Sequence, residues 1–248
     1  MSRTNNDGVQ IHYEVEGDGS PLVLCHGIFG SLEDWRDFGY VDALRDRHKL
    51  VLIDARGHGK SDKPTDQLSY SLELRASDVV AVLDALGIEV CDYMGYSMGG
   101  WIGFGLARYT PHRFRSLILG GAHPFKEDMQ PFRALVPEDP VDLVKLLEPI
   151  YGMHLGPAMR ARMLDNNLFA LRALTEDRDD ISDVLATMSM PFLLFGGTID
   201  PRFQKIRQCL DRLPNAEYFS VPDCGHVAAW ARSDLTLPHV QKFLRERA

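Results

Sequence analysis

CDYMGYSMGGWIGFGLARY, Cys91–Tyr109, is the stretch whose reading decides the fold. Its first seven residues form a short, largely apolar run, the pattern of a strand buried on both faces. From Met98 onward the residues suit a helix. Ser97 sits at the junction, with Gly95 two residues before it and Gly99 two residues after. A serine on a sharp strand-to-helix turn needs such glycines, because neighbouring backbone must pass close to it. The turn holds the serine in a sparsely populated backbone conformation and lifts its hydroxyl above the carboxyl edge of the sheet. The helix N-terminus behind it favours negative charge on a nearby oxygen. A tight turn without chemistry has the same local outline, so the partners elsewhere in the chain must decide.

The surrounding sequence repeats the strand-then-helix pattern. Val9–Gly17 alternates and reads as an early antiparallel strand. Pro21–Gly27, His48–Asp54, Arg115–Gly121 and Pro191–Gly197 are short buried-strand runs, and Ala216–Pro222 is a last strand. Ser71–Leu86, Met98–Tyr109, Ile206–Leu213 and His239–Arg247 carry helical spacing. Such alternation implies a mostly parallel sheet with helices on both faces. From His123 to Met188 the pattern is helical only, with segments at Val141–Ile150, Pro157–Leu171 and Asp180–Met188. An insertion of this kind between two sheet strands reads as a lid. The expected division is therefore a core of residues 1–122 and 189–248 and a helical cap of 123–188.

A serine hydroxyl needs a base to become a nucleophile. Of nine histidines, His226 follows the last strand, in DCGHVAAW, where Gly225 permits a turn that aims the ring back over the sheet. His123 ends a strand and is its rival. His12 alternates within a strand and is expected to be exposed, and His58 lies in a polar loop. The base in turn needs a carboxylate to fix its tautomer. Asp200, in FGGTIDPRF, follows a buried strand and two glycines. Asp54 also ends a strand but precedes ARGHGKS and reads as a loop organiser. Two backbone N–H groups must bind the developing oxyanion. Met98, directly after the serine, supplies one, and Ile28 in HGIFGS supplies the other, with His26 bracing that loop.

With these residues in place, the chain resembles the α/β-hydrolase fold superfamily over nearly its whole length. The matching stretches are HGIFGSLEDW, IDARGHGKSDKP, GYSMGG, GTIDP and GHVAAW, in the family order. The resemblance implies a mostly parallel sheet of about eight strands, a small helical cap, and Ser97–Asp200–His226 hydrolysis with no cofactor. Within the superfamily it is similar to the small carboxylesterase and enol-lactonase group. Serine at 97 argues against the branches whose nucleophile is aspartate. One departure is Val227-Ala228-Ala229, where many relatives carry proline and a bulky residue after the histidine.

The expected activity is thus serine-dependent hydrolysis of a carboxylic ester or lactone. Two alternatives share the fold: a C–C bond hydrolase or lyase acting on a dicarbonyl or succinyl-type substrate, and a non-catalytic ligand receptor. An arginine facing Ser97 would favour the first. Candidate pocket residues are Ile28, Phe29 and Trp101, together with Met153, Met159, Met163 and Phe169 of the cap. Truncating Met163 or Phe169 is expected to shift acyl-chain preference. Arg133, Arg160, Arg162 and Arg172 are the cap cations that could take a substrate carboxylate.

Composition narrows the partners. The chain has 248 residues, a net charge of −8 and scattered lysines and arginines, so a nucleic-acid face is not expected. No apolar run is long enough to span a bilayer, and the N-terminus has no signal-peptide pattern. The four cysteines are far apart, consistent with reduced thiols in the cytoplasm. Histidines and cysteines lack metal-ligand spacing, so no metal is expected, and the family resemblance implies no cofactor. The partner is a small-molecule substrate.

Overall fold

The computed structural model describes residues 2–151 and 155–247. Met153, one of the candidate pocket residues, lies outside them. Eight strands form one sheet: β1 (Ser2–Asn6), β2 (Val9–Glu16), β3 (Ser20–Cys25), β4 (His48–Ile53), β5 (Cys91–Tyr96), β6 (Phe114–Gly120), β7 (Phe192–Gly197) and β8 (Ala216–Val221). Their order is β1-β2-β4-β3-β5-β6-β7-β8. β1 pairs antiparallel with β2, and β2 antiparallel with β4. The rest run parallel. β5 and β7 are buried at every position, as their uninterrupted apolar runs require.

The helices are α1 (Asp34–Asp37), α2 (Tyr40–Leu44), α3 (Leu72–Ala85), α4 (Met98–Tyr109), α5 (Gln130–Ala134), α6 (Pro140–Tyr151), α7 (Pro157–Leu164), α8 (Leu168–Leu174), α9 (Phe203–Gln208), α10 (His226–Ala231) and α11 (Ser233–Arg245). Ser71 caps α3 by accepting the Leu74 N–H, a contact typically worth ~1 kcal/mol. Among the described residues none of these helices is long and apolar enough to cross a membrane.

Two departures from the sequence reading have simple causes. β1 was not expected, because Ser2–Asn6 is polar and its burial pattern is mostly exposed. It exists by pairing along the edge of β2. His12 is fully buried, against the expectation of exposure. Alternation predicts one wet face only when that face meets solvent, and Ile11, His12 and Tyr13 are all covered. The His12 ring meets Asp54 at 2.9 Å (Nδ1 to Oδ2).

Asp54 organises the loops at the sheet's carboxyl edge. It accepts the N–H of Leu32 at 2.9 Å and of Lys60 at 2.9 Å. His26 braces the same region: its Nε2 accepts the Ala55 N–H at 3.1 Å, so its Nδ1–H donates to the Gly27 carbonyl at 2.7 Å.

Between β6 and β7 lie α5 to α8 and a 3₁₀ turn at Ser182–Thr187. The expected helix over Pro157–Leu171 is two helices. Asn167 breaks it by capping α8, its side chain accepting from the N–H groups of Phe169 and Ala170. α6 turns Leu143, Val144, Leu147 and Tyr151 inward, the one-face spacing of an amphipathic helix, and packs against α10.

A buried ion cluster anchors this inserted segment. Glu127 accepts from Arg178 at 2.9 Å and from Arg202 at 2.6 Å. The backbones of Glu127 and Arg178 also bridge. Burial pushes the Glu127 carboxyl up, but the two guanidinium groups outweigh it and hold the group below its ordinary range. Burial lowers Arg178 to about 9, with Glu127 opposing. Removing one partner leaves a buried charge uncompensated, so Glu127→Ala is expected to destabilise the fold by roughly 3–5 kcal/mol. A depressed carboxyl contributes stability above its unfolded pKa and loses it as pH falls through the folded value. Urea midpoints measured from neutral to acidic pH should therefore converge for wild type and variant at the acid end. A constant gap would mean that packing alone carries the loss.

Candidate active site

Ser97 stands between β5 and α4 with φ 54° and ψ −108°, a left-handed φ that is rare outside glycine. Its neighbours enforce the turn. A Cβ at Gly95 would strike the Gly99 carbonyl, and one at Gly99 would strike the Cys25 carbonyl. The Ser97 N–H donates to the Gly120 carbonyl at 2.8 Å, and the Gly99 N–H to the His26 carbonyl at 3.1 Å. The elbow is thus pinned to β6 on one side and to the loop after β3 on the other.

The structure brings Ser97, His226 and Asp200 together. The Ser97 hydroxyl lies 2.8 Å from His226 Nε2. His226 Nδ1 lies 2.6 Å from Asp200 Oδ2. The other carboxylate oxygen accepts the Arg202 N–H at 2.8 Å. Burial pushes the Asp200 carboxyl up, yet the bond to His226, its charge and the Arg202 N–H together hold it below the usual carboxylate range. His226 opens α10 after Gly225. The Tyr96 hydroxyl donates to the His226 carbonyl. The Tyr96 ring stacks on Trp230 at 5.1 Å, and Trp230 meets Trp35 and Phe38 edge-on, each at 5.0 Å. Aromatic pairs of this kind contribute ~0.5–1.5 kcal/mol beyond burial, and this stack fixes the turn that carries the histidine.

His123 is placed differently. It is buried, and its Nε2 is 3.9 Å from Glu127. Burial lowers it to about 4.

A cavity of about 50 Å³ opens beside Ser97. Gly27, Ile28, Phe29, Tyr96, Val227 and Trp230 line its core side, and Phe132, Leu135, Leu147, Ile150 and Tyr151 its other wall. Ile28 lines this cavity, and Met98 directly follows Ser97. A Cβ at Gly27 would sit 3.4 Å from the Ser97 Cβ, so the loop carrying Ile28 abuts Ser97. Met98 is the first residue of α4, and the first N–H groups of a helix have no intrahelical acceptor.

Of the five described pocket residues expected beyond Ile28, only Phe29 lines this cavity. Trp101 is one turn along α4 and faces away, between Arg75 at 5.5 Å and Arg178 at 4.9 Å. Met163 is buried inside the inserted segment, as is Met159. Phe169 is 69% exposed, in a surface groove with Glu138, Pro140 and Arg172. The wall comes instead from α5 and α6. The inward spacing of Leu143, Leu147 and Tyr151 in VDLVKLLEPIY was the signal that could have named it.

The sequence profile of the alpha/beta hydrolase fold family matches residues 20–149. The chain belongs to that family. A 2-hydroxy-6-oxononadienedioate/2-hydroxy-6-oxononatrienedioate hydrolase of Dechloromonas aromatica is 30% identical over 264 residues, 95% of this chain and 91% of the relative. A cis-3-alkyl-4-alkyloxetan-2-one decarboxylase of Shewanella oneidensis is 26% identical and covers 98% of this chain and 87% of its own. The enol-lactonase of Burkholderia xenovorans superposes with a TM-score of 0.83 at 21% identity, over 98% of this chain and 100% of that one. The family supports a hydrolase of this fold, and its relatives span ester, lactone and carbon–carbon chemistries.

Proposed function

We propose that Ser97, His226 and Asp200 form a catalytic triad that hydrolyses short, uncharged carboxylic esters or lactones through an acyl-enzyme, under a cap formed by residues 123–188. The observation that carries this reading is the continuous relay of 2.8 Å and 2.6 Å from the Ser97 hydroxyl to the Asp200 carboxylate, opening on an apolar cavity. Ser97 Oγ attacks the carbonyl carbon while its proton passes to His226 Nε2. The carbonyl oxygen takes the negative charge and accepts from the Ile28 and Met98 N–H groups. His226 then protonates the leaving alkoxide. Water repeats the sequence on the acyl-enzyme, with His226 as base, and frees the acid and Ser97.

Charge argues for an uncharged acyl group. A dicarboxylate substrate asks for a cation beside the serine, and among the described lining residues there is no lysine or arginine. Each arginine of the cap that was a candidate is engaged elsewhere. Arg133 bonds Thr175 O and Asp177, and Arg172 the Val136 and Pro137 carbonyls. Arg160 pairs with Glu148, and Arg162 with Asp37. The intact relay also argues against a receptor without catalysis.

Size argues for a short acyl chain. The cavity is small, about 50 Å³, with Leu135, Leu147 and Tyr151 on its far wall. In a p-nitrophenyl ester series from acetate to decanoate, kcat/KM is expected to peak at acetate to butyrate. Leu135→Ala should move the optimum to longer chains, by about fourfold per methylene newly accommodated, from ~0.8 kcal/mol per buried CH₂. A wild-type optimum at octanoate would overturn the size argument, and no turnover on any member, with no labelling of Ser97 by a fluorophosphonate, would overturn the hydrolase reading itself.

A further inference from the structure

The loop that carries Ile28 is held from two sides. On the core side, the Gly30 N–H donates to the Gly27 carbonyl at 3.3 Å and the Leu32 N–H to Asp54 at 2.9 Å. Between these anchors Phe29 has φ 69°, a conformation that costs a non-glycine residue on the order of 1 kcal/mol or more and persists only when its surroundings over-determine it. The second hold comes from the cap. Asn166, 8% exposed, follows α7 and donates its side-chain amide to the Phe29 carbonyl at 3.2 Å and to the Met163 carbonyl at 3.2 Å. Arg162 of α7 pairs with Asp37 and lies 3.6 Å from Asp34. Asp34 in turn accepts the Ser31 N–H at 3.3 Å. One end of α7 thus reaches the loop at Phe29 and at Ser31, on both sides of Gly30.

We propose that Asn166 is a positioning residue for the oxyanion hole: by holding the Phe29 carbonyl it fixes the direction of the Ile28 N–H, so that the hole is complete only with the cap seated. The proposal rests on the triad reading above. A carbonyl left free lets the left-handed Phe29 relax toward an ordinary φ; the rotation swings the Ile28–Phe29 peptide and, through the backbone of Ile28, shifts the Gly27–Ile28 peptide that carries the Ile28 N–H. Asn166 itself does not line the apolar walls against which substrate binds, so ground-state affinity is expected to change far less than the rate. The loss falls on the transition state, where the donor is needed.

The test uses Asn166→Leu, which keeps the branched shape and removes the donor, and Asn166→Asp, whose carboxylate repels the Phe29 carbonyl. Arg160→Ala, on α7 itself but paired away from the loop, is the control. Rates on p-nitrophenyl acetate are normalised by titrating reactive Ser97 with paraoxon, so unfolded protein does not enter. A trifluoromethyl ketone is the second readout. Ser97 Oγ adds to its carbonyl carbon, the serine proton goes to His226, and the resulting oxyanion needs the same two N–H donors. Expected are a kcat lowered ~10–100-fold, a KM within about twofold, and a trifluoromethyl ketone Ki raised by a factor similar to the kcat loss, with Asp worse than Leu. Arg160→Ala should match wild type. Wild-type kinetics in both Asn166 variants, a kcat loss with unchanged ketone affinity, or an equal loss in Arg160→Ala would each overturn the proposal. Wild-type protein that neither hydrolyses the acetate nor reacts with paraoxon at Ser97 would instead overturn the triad reading beneath it.

Discussion

Ser97→Ala is expected to lower kcat for ester hydrolysis on the order of a million-fold, the scale of losing a triad nucleophile. The substitution removes one oxygen and nothing that packs. The backbone at 97 is held by its N–H bond to Gly120 and by the glycines around it, so the turn persists without the hydroxyl. Side-chain exposure of 16% at His226 lets water take the place of Oγ on Nε2, and stability should change by no more than ~0.5 kcal/mol. What remains is the catalysis of the oxyanion donors and the cavity, ~10³–10⁴ over water. Steady-state rates on p-nitrophenyl acetate, with a mass spectrum after fluorophosphonate treatment, measure the loss and the site together. A variant that keeps a tenth of the rate, or that still takes up the label, would place the nucleophile elsewhere.

The sequence announced the elbow because its signal is local and steric. Gly95 and Gly99 are read from the chain, and the structure shows carbonyls where their side chains would be. The parallel strands were legible for the same reason: a strand covered on both faces must be apolar throughout, as β5 and β7 are. What failed to show was whatever depends on neighbours distant in sequence. β1 has a polar sequence and exists only through its partner. His12 looked wet because alternation says nothing about a sheet face that other elements cover. The inserted segment showed its helices but not its inner face. Phe169 and Met163 are as apolar as Leu135 and Leu147, and only the packing of α5 and α6 over Ser97 selects the latter pair. Asn166 carries no signal of this contact in one dimension, since the Phe29 carbonyl it holds is 137 residues away.

Asp200→Asn is expected to cost ~10⁴-fold in kcat while leaving the fold and the relay distances in place. The reason lies in the two oxygens of one carboxylate. Oδ1 accepts the Arg202 N–H at 2.8 Å, and Oδ2 faces His226 Nδ1 at 2.6 Å. An asparagine has one acceptor and one donor group to serve both. The Arg202 N–H can only donate, so the amide oxygen must stay on it, and the amide NH₂ then faces His226. Nδ1 is forced to accept, its proton moves to Nε2, and Nε2–H points at Ser97 Oγ. A nitrogen that already carries a proton cannot take the one Ser97 must lose. The wild-type carboxylate avoids this because it stays ionised: its depressed pKa keeps Asp200 charged until pH falls below the ordinary carboxylate range, through its folded value. Above that range the carboxylate contributes stability as well as tautomer control. The measurement is kcat on p-nitrophenyl acetate at neutral pH, with the His226 ring nitrogens followed by NMR to see which one is protonated. Retention of more than about a hundredth of the wild-type rate with the proton on Nε2 would show that tautomer control is not what Asp200 provides.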